Sequence, residues 1–135
     1  MIVVDSNVIA YLYLPGEFTV SAEKLLQREP EWAAPLLWRS ELRNILALSM
    51  RKRLLTFERA FQIQREAEAL LADNEYDVDS FEVLELARDS GCTAYDCEFV
   101  ALAKRLGVKL FTVDTKLRKS FPNLTSPLSA NRPST

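Results

Sequence analysis

The chain has 135 residues, of which 48% are hydrophobic and 27% charged, and its formal net charge is −2; this composition fits one globular domain with a real core. Three glycines are too few for glycine-rich phosphate loops, and no apolar run approaches the ~20 residues that span a bilayer. The overall charge gives no case for nucleic-acid binding. With two cysteines and no recognisable signal peptide, we expect a cytoplasmic protein with reduced thiols.

The first half of the chain alternates short apolar runs with amphipathic segments. Residues 2–5 predict a buried strand, because three β-branched residues precede Asp5. A second short strand is predicted at residues 32–34. Helices are predicted over residues 8–14, 19–27, 35–51 and 57–72. In the last of these, the pattern assigns Phe61, Ala67, Leu70 and Leu71 to the buried side.

The second half continues the alternation. Strands are predicted at residues 75–78, at the sheet edge, and 108–113, and helices over residues 80–90, 94–106 and 116–121. We expect residues 1–125 to form one domain and residues 126–135 a loosely ordered tail, because prolines and small polar residues predominate there. Strands that alternate with helices are typical of a parallel sheet covered on both faces.

Four acidic residues stand at the borders of apolar segments. Asp5 and Asp114 follow the first and last strands, at the carboxyl ends where open parallel sheets bind ligands. Glu41 and Asp96 interrupt otherwise apolar helical faces. Singly, the aspartates also suit helix caps or first turns, and the glutamate an ion pair with a nearby arginine. Together they predict one site for a hard cation, because four neighbouring carboxylates repel one another without one.

Other classes of aspartate site fit this pattern less well. A receiver domain needs a lysine after a late strand; Lys116 is nearby, but Asp114 occupies the strand end. A haloacid-dehalogenase phosphatase needs a second aspartate two residues after the first, where this chain has Asn7. Basic residues cluster in stretches 39–53 and 116–119. Each cluster alone suits a solvated helix face, but a basic rim around an acidic centre would suit a phosphodiester.

The four acids belong to motifs that follow one another in a recognisable order. The motifs are VVDSNVI at residues 3–9, SELRNIL at 40–46, TAYD at 93–96 running into FVALA at 99–103, and LFTVD at 110–114. In this order and spacing they resemble the PIN-domain ribonucleases, and within them the VapC-type toxins of bacterial and archaeal toxin–antitoxin pairs. The resemblance covers essentially the whole chain.

The resemblance implies a three-layer α/β/α sandwich with a central parallel sheet and a metal-dependent endoribonuclease that hydrolyses RNA phosphodiester bonds. It also implies a homodimer and inhibition by an antitoxin protein that covers the active site. The alternative is a catalytically silent PIN-like scaffold that binds RNA or a protein partner.

Carried over residue by residue, the resemblance makes the four acids the catalytic and metal-binding set. Asp5, Asp96 and Asp114 would hold Mg²⁺ or Mn²⁺ directly, and Glu41 would bind through a water or hold a second ion. Hydrogen-bonding support would come from Ser6, Asn7 and Thr112. Glu98 adds an acid at a variable position of the motif, where we expect it to be solvated or a spare ligand near the rim.

Overall fold

Five short parallel strands form the central sheet of the computed structural model, which describes residues 1–129. They are β1 (Ile2–Val4), β2 (Trp32–Pro35), β3 (Glu75–Tyr76), β4 (Leu110–Thr112) and β5 (Thr125–Pro127), in the sheet order β3-β2-β1-β4-β5. Every residue of β1 and β2 is buried, as expected for strands whose two faces are both covered by helices.

Seven helices connect the strands within the described residues. They are α1 (Ser6–Tyr13), α2 (Thr19–Arg28), α3 (Leu37–Arg51), α4 (Phe57–Leu70), α5 (Ser80–Ser90), α6 (Ala94–Leu106) and α7 (Thr115–Ser120). Right-handed crossovers, the rule for parallel strands, place α1–α4 on one face and α5–α7 on the other, because the chain moves outward from β1 to β3 and then back to β4. The expected three-layer α/β/α sandwich is confirmed. None of these helices is long and apolar enough to cross a membrane.

The sheet has a topological switch point between β1 and β4. These strands are neighbours, but the chain leaves β1 toward β2 and leaves β4 toward β5. The two connections diverge and open a crevice at the carboxyl ends of both strands, which is the usual ligand position in such sheets. Asp5 directly follows β1, and Asp114 lies two residues beyond β4, so both strand-end aspartates lie at this crevice.

The fifth strand corrects the expected domain boundary. Thr125–Pro127 pairs in parallel with β4, and both Thr125 and Leu128 are buried. Ordered structure therefore continues past residue 125, where we expected a loosely ordered tail to begin. The sequence of this segment shows no alternation of apolar residues, so it did not predict a strand. The segment is held by its backbone pairing with β4 at the edge of the sheet. The last part of the expected tail, residues 130–135, lies outside the described residues.

Two expectations about helical positions were wrong. The buried face of α4 consists of Ala60, Ile63, Gln64 and Ala67. Phe61 is 53% exposed, with its ring stacked on that of Phe57 at 6.3 Å between centroids; one residue turns a helix by roughly 100°, which is enough to move Phe61 off the buried face. Pro35, expected in the first turn of a helix, is the last residue of β2.

A partly buried ion-pair network joins the start of α3 to the edge strand β3. Arg39 donates from Nε and Nη2 to the two carboxylate oxygens of Glu75 at 2.6 and 2.7 Å, and Trp38 Nε1 donates to the same carboxylate at 2.8 Å. The hydrogen bonds from Arg39 hold the pKa of Glu75 below its ordinary value. Because Glu41 lies two residues after Arg39, this network also fixes the segment of α3 that carries Glu41.

We predict that Glu75→Gln destabilises the protein by about 1–2 kcal/mol at pH 7, since the bidentate charged pair is lost but is partly open to solvent. Urea denaturation measures this change. The Glu75 pKa is lowered on folding, so its contribution is present above its ordinary value and is lost as pH falls through the folded value. The variant and the parent should therefore converge in acid.

The matched control for this prediction is Asp89→Asn. Asp89 also pairs with an arginine, Arg88, at 2.7 Å, but both side chains are more than 60% exposed, so the control should unfold at the same urea concentration as the parent. Equal stability of Glu75→Gln and the parent at pH 7 would show that the network does not stabilise the fold.

Candidate active site

An open cavity of about 390 Å³ lies at the carboxyl ends of β1 and β4, and all four predicted acids line it. The remaining polar lining residues are Ser6, Asn7, Ser40 and Asn44, and the apolar ones are Leu37, Ile45, Tyr95, Phe99 and Leu117. The acids reach the cavity from four different helices. Residues that are up to 109 positions apart in the chain thus face one space.

Asp5 is both a helix cap and a cavity residue. One carboxylate oxygen accepts a hydrogen bond from the backbone N of Asn7 at 2.8 Å and so caps α1; the other accepts one from Thr112 Oγ1 at 2.6 Å. Burial raises the pKa of Asp5, and the charges of Asp96 and Asp114 raise it further, against the effect of these hydrogen bonds. The carboxylate is therefore held rigidly in a place that disfavours its charge.

Asp114 and Asp96 lie at the starts of the two helices α7 and α6, on the other side of the sheet. Asp114 caps α7 through the backbone N of Leu117 at 3.0 Å, and its own N donates to Thr112 Oγ1 at 3.1 Å. Asp96 lies in the first turn of α6, which Thr93 caps. Burial and the charge of Asp114 raise the pKa of Asp96. These acids cap or begin helices and also line the cavity, since a helix that starts at this edge of the sheet starts at the cavity.

Glu41 is held by a hydroxyl group and not by an arginine. Ser6 Oγ donates to Glu41 Oε1 at 2.8 Å. The expected alternative, a surface ion pair, is absent from residues 1–129, where Arg39 pairs with Glu75 and Glu68. Burial raises the pKa of Glu41, and the charges of Asp5, Asp96 and Glu98 add to this.

The supporting residues differ in what they do. Thr112 is fully buried and Ser6 nearly so, and each contacts one of the acids directly. Asn7 is exposed and contributes its backbone N to Asp5. Glu98 is partly buried, and burial raises its pKa. It does not line the cavity, so its effect on the site is through its charge on Glu41.

The donor chemistry of the cavity fits a hard divalent cation such as Mg²⁺ or Mn²⁺. Its ligands would be carboxylate oxygens, and burial and mutual repulsion raise the pKa of three of the four acids, a penalty that a cation would offset. Within residues 1–129, no three acidic side chains stand close enough to hold one ion together. Binding therefore requires the carboxylates to rotate inward, which their positions around one open cavity allow.

The comparisons with known proteins identify the family and agree with the fold. The model of the PIN domain family matches residues 2–120, and the chain belongs to this family. It is 34% identical over 139 residues to Ribonuclease VapC3 of Pyrobaculum aerophilum, an alignment that covers 93% of this chain and 98% of that protein.

Solved structures show the same fold. The crystal structure of PAE2754 from Pyrobaculum aerophilum superposes with a TM-score of 0.74 at 20% identity, and the match covers 93% of this chain and 82% of that one. VapBC2 from Rickettsia felis, bound to a DNA fragment from its promoter, gives a TM-score of 0.67 at 20% identity, with 96% of this chain and all of the other covered.

We predict that Asp5→Asn stabilises the metal-free protein at neutral pH, because it removes a charge that burial and two neighbouring carboxylates disfavour. The pKa of Asp5 is raised on folding from 3.8, so stability is lost as pH rises through the folded value. The gain from the variant should be largest at pH 7 and should vanish as pH falls below 3.8. Thermal unfolding in EDTA across this pH range measures it.

Asp79→Asn is the matched control, since Asp79 is also a helix cap, accepting from the backbone N of Glu82 at the start of α5, but does not line the cavity. Asparagine caps a helix about as well as aspartate, so this control should melt at the parent temperature. If Asp5→Asn instead lowers the melting temperature at pH 7, repulsion among the acids is not what governs this site.

Proposed function

We propose that this protein is a metal-dependent endoribonuclease and the toxin component of a type II toxin–antitoxin pair. The observation that carries the proposal is the convergence of Asp5, Glu41, Asp96 and Asp114 on one cavity at the switch point of the sheet. Membership of the PIN-domain family and the identity to Ribonuclease VapC3 support RNA as the substrate.

In this proposal, Asp5, Asp96 and Asp114 hold Mg²⁺ or Mn²⁺, and Glu41 binds through a water or holds a second ion. Such an ion, when bound, offsets negative charge on the phosphate and makes a water molecule more acidic. The caps of Asp5 and Asp114 hold their carboxylates beside the cavity, which limits the rearrangement that ion binding requires.

Because the chain has no histidine, a carboxylate or the metal ion must serve in place of a histidine base. Glu41 suits this role, because it lines the cavity and is not one of the three acids proposed as direct ligands. Ser6 fixes one of its oxygens, and Thr112 does the same for Asp5. These two hydroxyl groups position the acids and need not touch the substrate.

The partner protein is proposed on the same basis. The Rickettsia felis structure is of VapBC2 with promoter DNA, and a structure from Klebsiella pneumoniae is of a toxin–antitoxin complex. We extend this to an antitoxin that covers the cavity of the present chain and to a homodimer of the chain itself.

We predict that Asp96→Asn lowers kcat for RNA cleavage at least about 100-fold. This factor is the lower end of the range of rate losses seen when a group that acts on the reacting atoms is removed. Purified protein, a fluorescent RNA and Mn²⁺ suffice for the measurement. Glu82→Gln, which changes an exposed glutamate in the first turn of α5 outside the cavity, is the matched control and should keep the parent rate. The assignment is wrong if Asp96→Asn cleaves as fast as the parent.

We also predict that Mn²⁺ stabilises the parent but not Asp114→Asn. An ion that binds only the native state adds about 2.7 kcal/mol when its concentration is 100 times its Kd. Thermal unfolding with and without Mn²⁺ reads this out independently of activity, and Glu82→Gln should keep the full shift, because Glu82 lies outside the cavity. A parent that shows no Mn²⁺ shift would favour the catalytically silent scaffold.

A further inference from the structure

The wall of the acidic cavity is apolar, and a metal–phosphate site alone does not require this. Each acid on a helix has an apolar neighbour one turn away. Leu37 and Ile45 flank Glu41 on α3, and Phe99 follows Asp96 on α6 by three residues. A phosphate and its cation gain nothing from such a wall, so the wall suits an uncharged part of the substrate.

Tyr95 forms the exposed part of this wall. It precedes Asp96 in the first turn of α6, and its side chain is 62% exposed. Of the large apolar side chains that are more than a third exposed in residues 1–129, Tyr95 is the one that lines the acidic cavity. The core side of α6 is already filled by Cys97 and Val100, so the Tyr95 ring is not needed for packing.

The chemistry of the cavity limits what this ring can bind. Four carboxylates repel the phosphates of a nucleic acid wherever a cation does not offset them. The bases are uncharged and have a flat π face, and an aromatic side chain stacks on any of them. Both faces of a base inside a duplex are already covered by its neighbours, so only an unpaired base can take part.

We propose that Tyr95 is the stacking platform for an unpaired base next to the scissile phosphate. Tyr95 and Asp96 line the same cavity, so a phosphate held at the acids would bring an adjoining nucleotide to the ring. This inference rests on the proposed nuclease function and adds a base subsite to it. Tyr95 thereby selects RNA that presents that nucleotide unpaired, whatever the base.

The first test compares steady-state cleavage by Tyr95→Ala, Tyr95→Phe and Tyr95→Trp. The substrate is a fluorescein-labelled single-stranded oligoribonucleotide of mixed sequence on which the parent's cut has been mapped, with Mn²⁺ present. We expect Tyr95→Ala to raise KM about fivefold to tenfold with little change in kcat. This factor corresponds to the lower end of the binding energy that stacking of one base contributes. Phenylalanine and tryptophan should keep the parent KM, because the ring and not the hydroxyl group makes the contact.

The second test removes the base instead of the ring. A series of the same oligonucleotides carries one abasic nucleotide, placed in turn on each side of the cut. At one position next to the cut, the parent and Tyr95→Ala should have the same KM, since neither can form the stack. If the KM values still differ about fivefold to tenfold with every abasic substrate, Tyr95 does not stack on a neighbouring base.

Phe57→Ala is the matched control, since Phe57 is also exposed, at 67%, and lies outside this cavity; it should keep the parent KM. Equal melting temperatures of the variants and the parent exclude a folding defect. A Tyr95→Ala enzyme with the parent KM overturns the stacking inference and leaves the nuclease proposal intact, as does a Tyr95→Phe enzyme as impaired as Tyr95→Ala. A parent that cleaves no RNA with Mn²⁺ overturns both.

Discussion

Four carboxylates face one cavity and repel one another, and the structure of the site depends on how this repulsion is offset. Asp5 and Asp114 cap helices, Asp96 lies in the first turn of a helix, and Glu41 lies near the start of α3. The three aspartates therefore lie at the positive ends of helix dipoles, which stabilise a negative charge by about 0.3–1 kcal/mol at such positions, whereas Glu41 lies beyond the first turn of α3. Parallel β–α units all begin their helices at the carboxyl edge of the sheet, so the architecture itself gathers these dipoles where the charge is concentrated.

The buried Thr112 hydroxyl links the two central strands at this edge. It donates to Asp5 and accepts from the backbone N of Asp114, so one side chain sets the relative position of two proposed ligands. Ser6 has the corresponding role for Glu41. Asp5 and Glu41 are thus held by hydrogen bonds from buried hydroxyl groups, and Asp5 and Asp114 also by their own caps. The free energy that keeps the acids together comes from the apolar packing of β1, β4 and α6.

The sequence predicted the parts of this site that depend on local signals. An aspartate after a β-branched run marks both a helix cap and the edge of a sheet, so Asp5 and Asp114 could be placed without coordinates. Glu41 and Asp96 could be placed from helical spacing. Ser6 contacts Glu41, and Arg39 contacts Glu75, across more than 30 positions of the chain. The spacing of apolar residues predicts helices and strands but not contacts between distant elements, so these pairs could not be predicted. The strand β5 was missed because it has no apolar pattern, and Phe61 was misplaced because a small shift in the helical face changes which residues it buries.

The two edges of the sheet limit how this protein can associate with other chains. The edge strand β3 is two residues long, and the opposite edge, β5, ends in Pro127, which has no N–H to donate to an added strand. Neither edge offers a long row of free backbone groups, so the sheet is a poor template for strand exchange or for amyloid-like growth. Association with a second copy or with another protein is thereby directed to side chains on the helices, where recognition depends on sequence and not on backbone pairing alone.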